Sequence, residues 1–331
     1  MGLVRGNHHL TFAVGPANED YEFHTDLLGM RNIKKTVLYD GKTPIYHLYY
    51  GNARGDAGTI LTSFPFRQAG VMGRRGSNQI KIVNLSVPVD SLGFWADRFA
   101  TAGIRYGEVE IFGALRLQFA HPCGIEYALV ADGDGNPADS WEGNGISAEH
   151  AILGTHGITI SITDSEEMNE FLVSGIEAKH VASDGPRERY EVGTTGRGRA
   201  IELLHEPGVA PGTWRFGEGT VHHAAYDAVD ATQQQELKDW LEGLGYTDCS
   251  DVKDRGYFLS VYCRTPSGAL FEFAWSKPEG WAFDEDPDHI GEQFVLPPQF
   301  EDRRDEIMAQ LEPFRTERVA PWARQVPPIA S

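Results

Sequence analysis

Apolar and polar residues alternate along four stretches of the chain, and each alternating stretch leads into one of helical period. The alternating runs cover residues 9–14, 80–87, 156–162 and 221–228, the pattern of half-buried strands. The helical stretches that follow are 18–29, 90–103, 164–172 and 230–245. Asn18, Asp90, Asp164 and Asp230 open them, and Gly29, Gly103 and Gly245 close three of them. Asn and Asp side chains accept hydrogen bonds from the free N–H groups of a first helical turn, while Gly permits a left-handed exit. Glu167, three residues after Asp164, adds a capping-box spacing. Shorter strands bounded by Gly and Pro turns then follow, at 43–50 and 58–64, 115–119 and 124–130, 189–192 and 200–204, and 256–263 and 269–274. The pattern predicts an α+β chain in which a βαβββ unit recurs four times over residues 6–276.

Segment 131–150, rich in Asp, Gly, Asn and Pro, is the natural linker between two pairs of units. It divides the chain into an N-terminal domain over 1–140 and a C-terminal domain over 150–280. Residues 281–331 form an appendage, with an amphipathic helix expected near 299–311 and a Pro-containing surface tail after it.

Composition narrows the function. Of 331 residues, 41% are hydrophobic and 23% charged, enough apolar material for an ordinary core. Lys and Arg total 29 against 48 Asp and Glu, a net charge of −19 that repels phosphate backbones and argues against a nucleic-acid partner. The short clusters Arg74-Arg75 and Arg303-Arg304 read as solvated faces. No apolar run reaches the ~18 residues of a membrane span, and the N-terminus has no apolar signal core. Cys123, Cys249 and Cys263 form no CxxC pair, as expected of a protein in a reducing cytoplasm. The Gly-rich stretch 193–199 follows no nucleotide-binding pattern and reads as a turn, and no G-x-S-x-G elbow is present.

The candidate chemistry lies on strands. Two doublets, His8-His9 and His222-His223, start the first strand of units one and four. Glu272 sits in the apolar run 269–275, where a charge is costly to bury unless it is paired or bound to a metal. By period two it shares a face with Leu270 and Ala274, opposite Phe271, Phe273 and Trp275. Two imidazoles and a carboxylate form a facial triad suited to Fe(II), with Mn(II) as the alternative, and leave positions open for substrate and O2. His156, Glu126 and Glu202 occupy related places in units two and three and are expected to be structural.

Residues 8–14, 34–51, 217–225 and 245–272 resemble the para-hydroquinone ring-cleaving dioxygenases of the vicinal oxygen chelate superfamily. The resemblance implies two open, barrel-like halves, each made of two βαβββ modules. It places the metal on His9, His223 and Glu272, with His8, His222, Arg255 and Tyr262 beside it as catalytic residues. It further implies a small aromatic substrate, O2 as co-substrate, and ring opening between a hydroxylated carbon and its neighbour. A homo-oligomer is compatible with it. Rival readings are a catechol-cleaving extradiol dioxygenase, a glyoxalase-like metal isomerase, and a metal-free binding protein of the bleomycin-resistance kind.

Two geometric expectations follow. Ligands of one metal lie about 3 Å apart, so units one and four should pair, leaving two and three to pair without metal. Strict alternation sends the members of each His doublet to opposite faces, so a bulge is needed to gather them. Arg255 and Tyr262 likewise differ in parity unless Gly256 breaks the alternation.

Overall fold

The structure is a computed structural model and describes residues 4–38, 43–67, 69–286 and 288–314. Module one comprises β1 (Val4–Val14), α1 (Ala17–Glu22), β2 (Arg31–Leu38), β3 (Ile45–Gly51) and β4 (Ile60–Pro65). Module two comprises β5 (Gln79–Val87), α2 (Leu92–Ala102), β6 (Tyr106–Ile111), β7 (Ala114–Ala120) and β8 (Glu126–Ala131). Module three comprises β9 (Gly154–Ile162), α3 (Glu166–Glu170), β10 (Lys179–Asp184), β11 (Arg187–Glu191) and β12 (Ala200–His205). Module four comprises β13 (Thr220–Ala228), α4 (Ala231–Gly243), β14 (Lys253–Asp254), β15 (Phe258–Arg264) and β16 (Leu270–Ser276).

The modules assemble into two eight-stranded sheets, ordered β14-β15-β16-β13-β1-β4-β3-β2 and β10-β11-β12-β9-β5-β8-β7-β6. Modules one and four therefore share one sheet, and two and three the other, as the ligand spacing requires. Each half of the chain, 1–140 and 150–280, gives one module to each sheet, so both sheets cross the linker. Within every module the first and last strands run parallel, and at the centre of each sheet two first strands meet antiparallel.

The helices pack on the sheets through apolar residues such as Trp95, Phe99, Met168, Leu237 and Leu241, all within the main core. Asp230 caps α4 as expected, accepting from Gln233 N at 2.8 Å, and Gly103 closes α2 in the left-handed region at φ 71°. The other helix starts shift from their expected caps. Pro16 precedes α1, and the Asn18 amide instead reaches the C-terminal segment at Glu312 and Pro313. Ser91 and Ser165, one residue beyond the expected Asp caps, precede α2 and α3. Both α1 and α3 widen into π-helical turns, Phe23–Leu27 and Phe171–Gly175. The expected helix at 299–311 is a 3-10 turn, Pro298–Arg303, followed by a short α-helix, Arg304–Met308. The tail after residue 314 lies outside the described residues. No helix among the described residues is long and apolar enough to cross a membrane.

Candidate metal centre

The His doublets owe their geometry to bulges at the centre of the first sheet. In the β1–β13 ladder Asn7 pairs with Tyr226 and His9 with Ala225, so His8 is an extra residue in β1. Further along, Thr11 pairs with His223 and Phe12 with Val221, so His222 is the extra residue in β13. A bulge lets two consecutive side chains lie on one side of a strand. Here each first histidine folds back on the second: His8 Nδ1 lies 2.8 Å from His9 Nδ1, and His222 Nδ1 lies 2.8 Å from His223 Nδ1.

With Nδ1 engaged, both second histidines present Nε2 to a common point. His9 Nε2 and His223 Nε2 are 3.1 Å apart. The Glu272 carboxylate comes from β16, which runs parallel beside β13, and its Oε2 lies 2.8 Å from His223 Nε2 and 3.5 Å from His9 Nε2. Adjacent ligands on an octahedral ion with bonds of about 2.1 Å are separated by about 3 Å, so these atoms have the spacing of one face. Glu272 Oε1 accepts from Ser260 at 2.5 Å, whereas Oε2, fully buried, receives no well-directed hydrogen bond. A buried carboxylate oxygen left without a donor beside two imidazole nitrogens suits a divalent cation. Burial opposes ionisation of Glu272, but the His9 and His223 imidazoles hold its carboxyl well below the ordinary range. Burial lowers the basicity of His223, keeping it the neutral imidazole a metal requires.

The other expected residues divide. His222 lines a cavity of about 830 Å³ that opens over His9 and His223. His8 is absent from that lining; its Nε2 meets Ser276 Oγ at 2.8 Å, and burial drops its pKa to about 3. Tyr262 pairs with Glu272 across β15 and β16 and faces the cavity. Gly256, at φ 85°, breaks the alternation before β15, and Arg255 turns back so that its Nε donates to Tyr262 OH at 3.2 Å. Burial raises the Tyr262 pKa. Tyr257 and Phe258 of module four form part of an aromatic wall, completed by Tyr49 and Phe64 of module one.

His47 and Tyr49, which line the same cavity, escape the sequence reading. Their signal is two polar side chains two apart, hence on one face, in the buried strand 43–50. A second His/carboxylate group also escapes it: Asp20, His24 and His121, all buried at the contact of modules one and two. Asp20 Oδ2 accepts from Tyr50 OH at 2.6 Å and Ser63 Oγ at 2.5 Å, and Oδ1 lies 3.3 Å from both His24 Nδ1 and His121 Nε2. His24 Nε2 meets Tyr127 OH at 3.1 Å, and His121 Nδ1 accepts from the Cys123 backbone at 3.1 Å. Asp20 Oδ1 and His121 Nε2, both buried, receive no well-directed hydrogen bond in this network, which joins α1 to module two.

The second sheet shows the same plan with the donors replaced. Lys81 and His156 are its bulge residues, so His156 is the counterpart of His222, and Ile82 and Gly157 stand where His9 and His223 stand. Glu202 matches Glu272, and it binds Arg116 and Arg189. His156 pairs with Asp132 and Glu126 with Arg75, so all three residues set aside in the sequence serve structure.

Paired βαβββ modules around an open group of two imidazoles and a carboxylate define the vicinal oxygen chelate class. No family model matches the chain. It is, however, 40% identical over 310 residues to the chlorohydroquinone/hydroquinone 1,2-dioxygenase of Sphingobium indicum, covering 93% of this chain and 96% of that protein. It is 33% identical to MhqO of Bacillus subtilis, named as a ring-cleaving dioxygenase, over 93% of this chain and 96% of that protein. A crystal structure of a Bacillus subtilis dioxygenase superposes with a TM-score of 0.88 at 32% identity, covering 96% and 99% of the two chains. Glyoxalase I of Zea mays, 13% identical with a TM-score of 0.61 over 87% of this chain and 96% of its own, shares the fold. The chain belongs to the hydroquinone ring-cleaving dioxygenase family, and it is a ring-cleaving dioxygenase.

Proposed function

We propose that the protein opens the ring of hydroquinone, or of a chloro- or alkyl-substituted hydroquinone, with O2 at an Fe(II) ion held by His9, His223 and Glu272. The observation that carries this reading is the triangle of His9 Nε2, His223 Nε2 and Glu272 Oε2, with sides of 3.1, 2.8 and 3.5 Å and an undonated carboxylate oxygen at one corner. When bound, the ion supplies the acidity that favours phenolate and the redox path between ring and O2.

The protein's own groups fall into a consistent set of donors. A His9 that gives Nε2 to a metal carries its proton on Nδ1, donates it to His8 Nδ1, and leaves His8 an Nε2–H for Ser276. His8 is therefore a positioning residue. The same logic makes His223 donate to His222 Nδ1, so His222 offers its Nε2–H toward the cavity it lines. His222 thus acts as a hydrogen-bond donor to a bound oxygen. Tyr262, which burial keeps protonated, is a second donor, and Arg255 fixes its oxygen. The flat aromatic walls orient the ring, and the product of hydroquinone is a γ-hydroxymuconic semialdehyde.

The deciding experiment loads metal-stripped protein anaerobically with Fe(II) or Mn(II) and measures metal content and O2 uptake with hydroquinone. About one Fe(II) per chain and uptake of one O2 per ring opened support the reading; no uptake with any hydroquinone overturns it.

A further inference from the structure

We propose that Thr62 and His47 carry the substrate's phenolic proton out of the metal centre along the chain Thr11–Thr62–His47–Tyr49. The proposal rests on the hydroquinone-cleaving reading above and assigns the step for which that reading leaves no acceptor. His222 presents an N–H, Tyr262 keeps its proton, Glu272 Oε1 already accepts from Ser260, and Oε2 belongs to the metal.

The path is continuous. Thr11 Oγ1 lies 2.8 Å from His223 Nε2, so its hydroxyl borders whatever fills the metal's open positions. Thr11 Oγ1 and Thr62 Oγ1 are 2.8 Å apart, Thr62 Oγ1 is 3.3 Å from His47 Nε2, and His47 Nδ1 is 2.9 Å from Tyr49 OH. Strand register builds it. Parallel pairing of β1 and β4 sets Thr11 opposite Thr62, and antiparallel pairing of β3 and β4 sets Tyr49 opposite Thr62, with His47 two residues along the same face. Thr11 and Thr62 are buried, while Thr11, His47 and Tyr49 line the cavity, so the path runs behind the substrate and returns to it.

Each transfer breaks one O–H or N–H bond and forms another. The phenol proton passes to Thr11 Oγ1, the Thr11 proton to Thr62 Oγ1, and the Thr62 proton to His47 Nε2. His47 then releases its Nδ1 proton to Tyr49 O, and Tyr49 gives up its own proton to water in the cavity. The substrate oxygen keeps the negative charge, every member of the chain ends neutral, and no electrons move. Burial, together with His9, His223 and Arg255, makes His47 a weak base, so it passes the proton on instead of storing it.

Thr62→Val tests the proposal because it keeps the side chain's shape and removes the hydroxyl at the middle of the chain. Its partner control is Thr62→Ser, which restores the hydroxyl. Both are loaded with Fe(II) under argon, and ionisation of bound hydroquinone is followed by ultraviolet difference absorbance before O2 is admitted. The expected result is unchanged iron content and a KM within about 2-fold for Thr62→Val, with the ionisation rate and kcat lowered ~10-fold or more and recovered in Thr62→Ser. Ionisation and kcat within about 2-fold of the parent overturn the relay, as does loss of iron, which would make Thr62 a support for the ligands. If Thr62→Val does not fold, Tyr49→Phe, which blocks the exit, decides by the same measurements. A parent enzyme that binds iron but neither ionises nor cleaves any hydroquinone overturns the functional reading itself; a competent parent beside an unaffected variant overturns only the relay.

Discussion

Arg116 and Glu202 meet through two near-parallel hydrogen bonds, Nη2 to Oε1 at 2.7 Å and Nη1 to Oε2 at 3.0 Å, with both side chains fully buried. Glu202 occupies the place in the second sheet that Glu272 holds in the first, and the guanidinium supplies the positive charge there. Asn84 and Thr159 complete the set, accepting from Arg116 and donating to Glu202 at 3.0 Å each.

Breaking this pair should cost far more than a surface ion pair. Burial opposes ionisation of Glu202, yet its Arg116 and Arg189 partners bring its pKa to about 2 from 4.5. The folded pKa is below the unfolded one, so the pair's contribution is full above about pH 4.5 and is lost as pH falls toward about 2. Glu202→Gln leaves Arg116 charged and half-satisfied. It is expected to lower stability at pH 7 by about 3–5 kcal/mol and to flatten the acid limb of the stability curve, measured by urea unfolding between pH 7 and 3.

Loss of a metal ligand should separate chemistry from folding. His223→Ala and Glu272→Ala are expected to lose bound iron and all ring cleavage while keeping the far-ultraviolet spectrum of the parent, because the sheets are built by strand pairing and apolar packing. Normal iron content in either variant, read by atomic absorption, would remove that residue from the centre.

Tyr262→Phe should retain iron and slow turnover. The Tyr262 hydroxyl is held by Arg255 and kept protonated by burial, so its deletion removes one oriented donor. A fall in kcat of ~10-fold with little change in KM is expected in steady-state O2 uptake; an unchanged kcat would reduce Tyr262 to a packing role.

Substrate choice should favour the para arrangement. A hydroquinone can give a metal only one oxygen, and the cavity is lined by further polar groups, among them His222, Arg255, Tyr262, His47 and Tyr49. The expected kcat/KM for hydroquinone or a substituted hydroquinone exceeds that for catechol by at least ~10-fold, about 1.4 kcal/mol, in parallel O2-uptake assays. A preference for catechol would reassign the substrate and leave ring cleavage in place.

Much of this was legible before the structure because several signals agreed. The module boundaries came from Gly and Asp punctuation, and the pairing of modules one and four followed from placing His9 beside Glu272. The parity conflict within His8-His9 pointed to the bulge that the ladder contains. What stayed hidden had weak local signals. The strand after each helix was not singled out: β6, β10 and β14 are largely exposed, and β2, though mostly buried, carries the consecutive charges Lys34 and Lys35. The starts of α1, α2 and α3 lie one or two residues from the expected caps, at Pro16, Ser91 and Ser165, although Asp164 still accepts from Glu166 N. The chain from Thr11 to Tyr49 depends on the register of three strands, which no single segment encodes.

The pairing of the first module with the last also orders events during synthesis. Modules two and three are contiguous, so their sheet can close while the chain is still growing. His9 leaves the ribosome early, but its partners His223 and Glu272 emerge only with the fourth module, after roughly tens of seconds of translation. A nascent chain therefore lacks the complete group of His9, His223 and Glu272. The three side chains meet only when the first strand of the chain is joined by the last module.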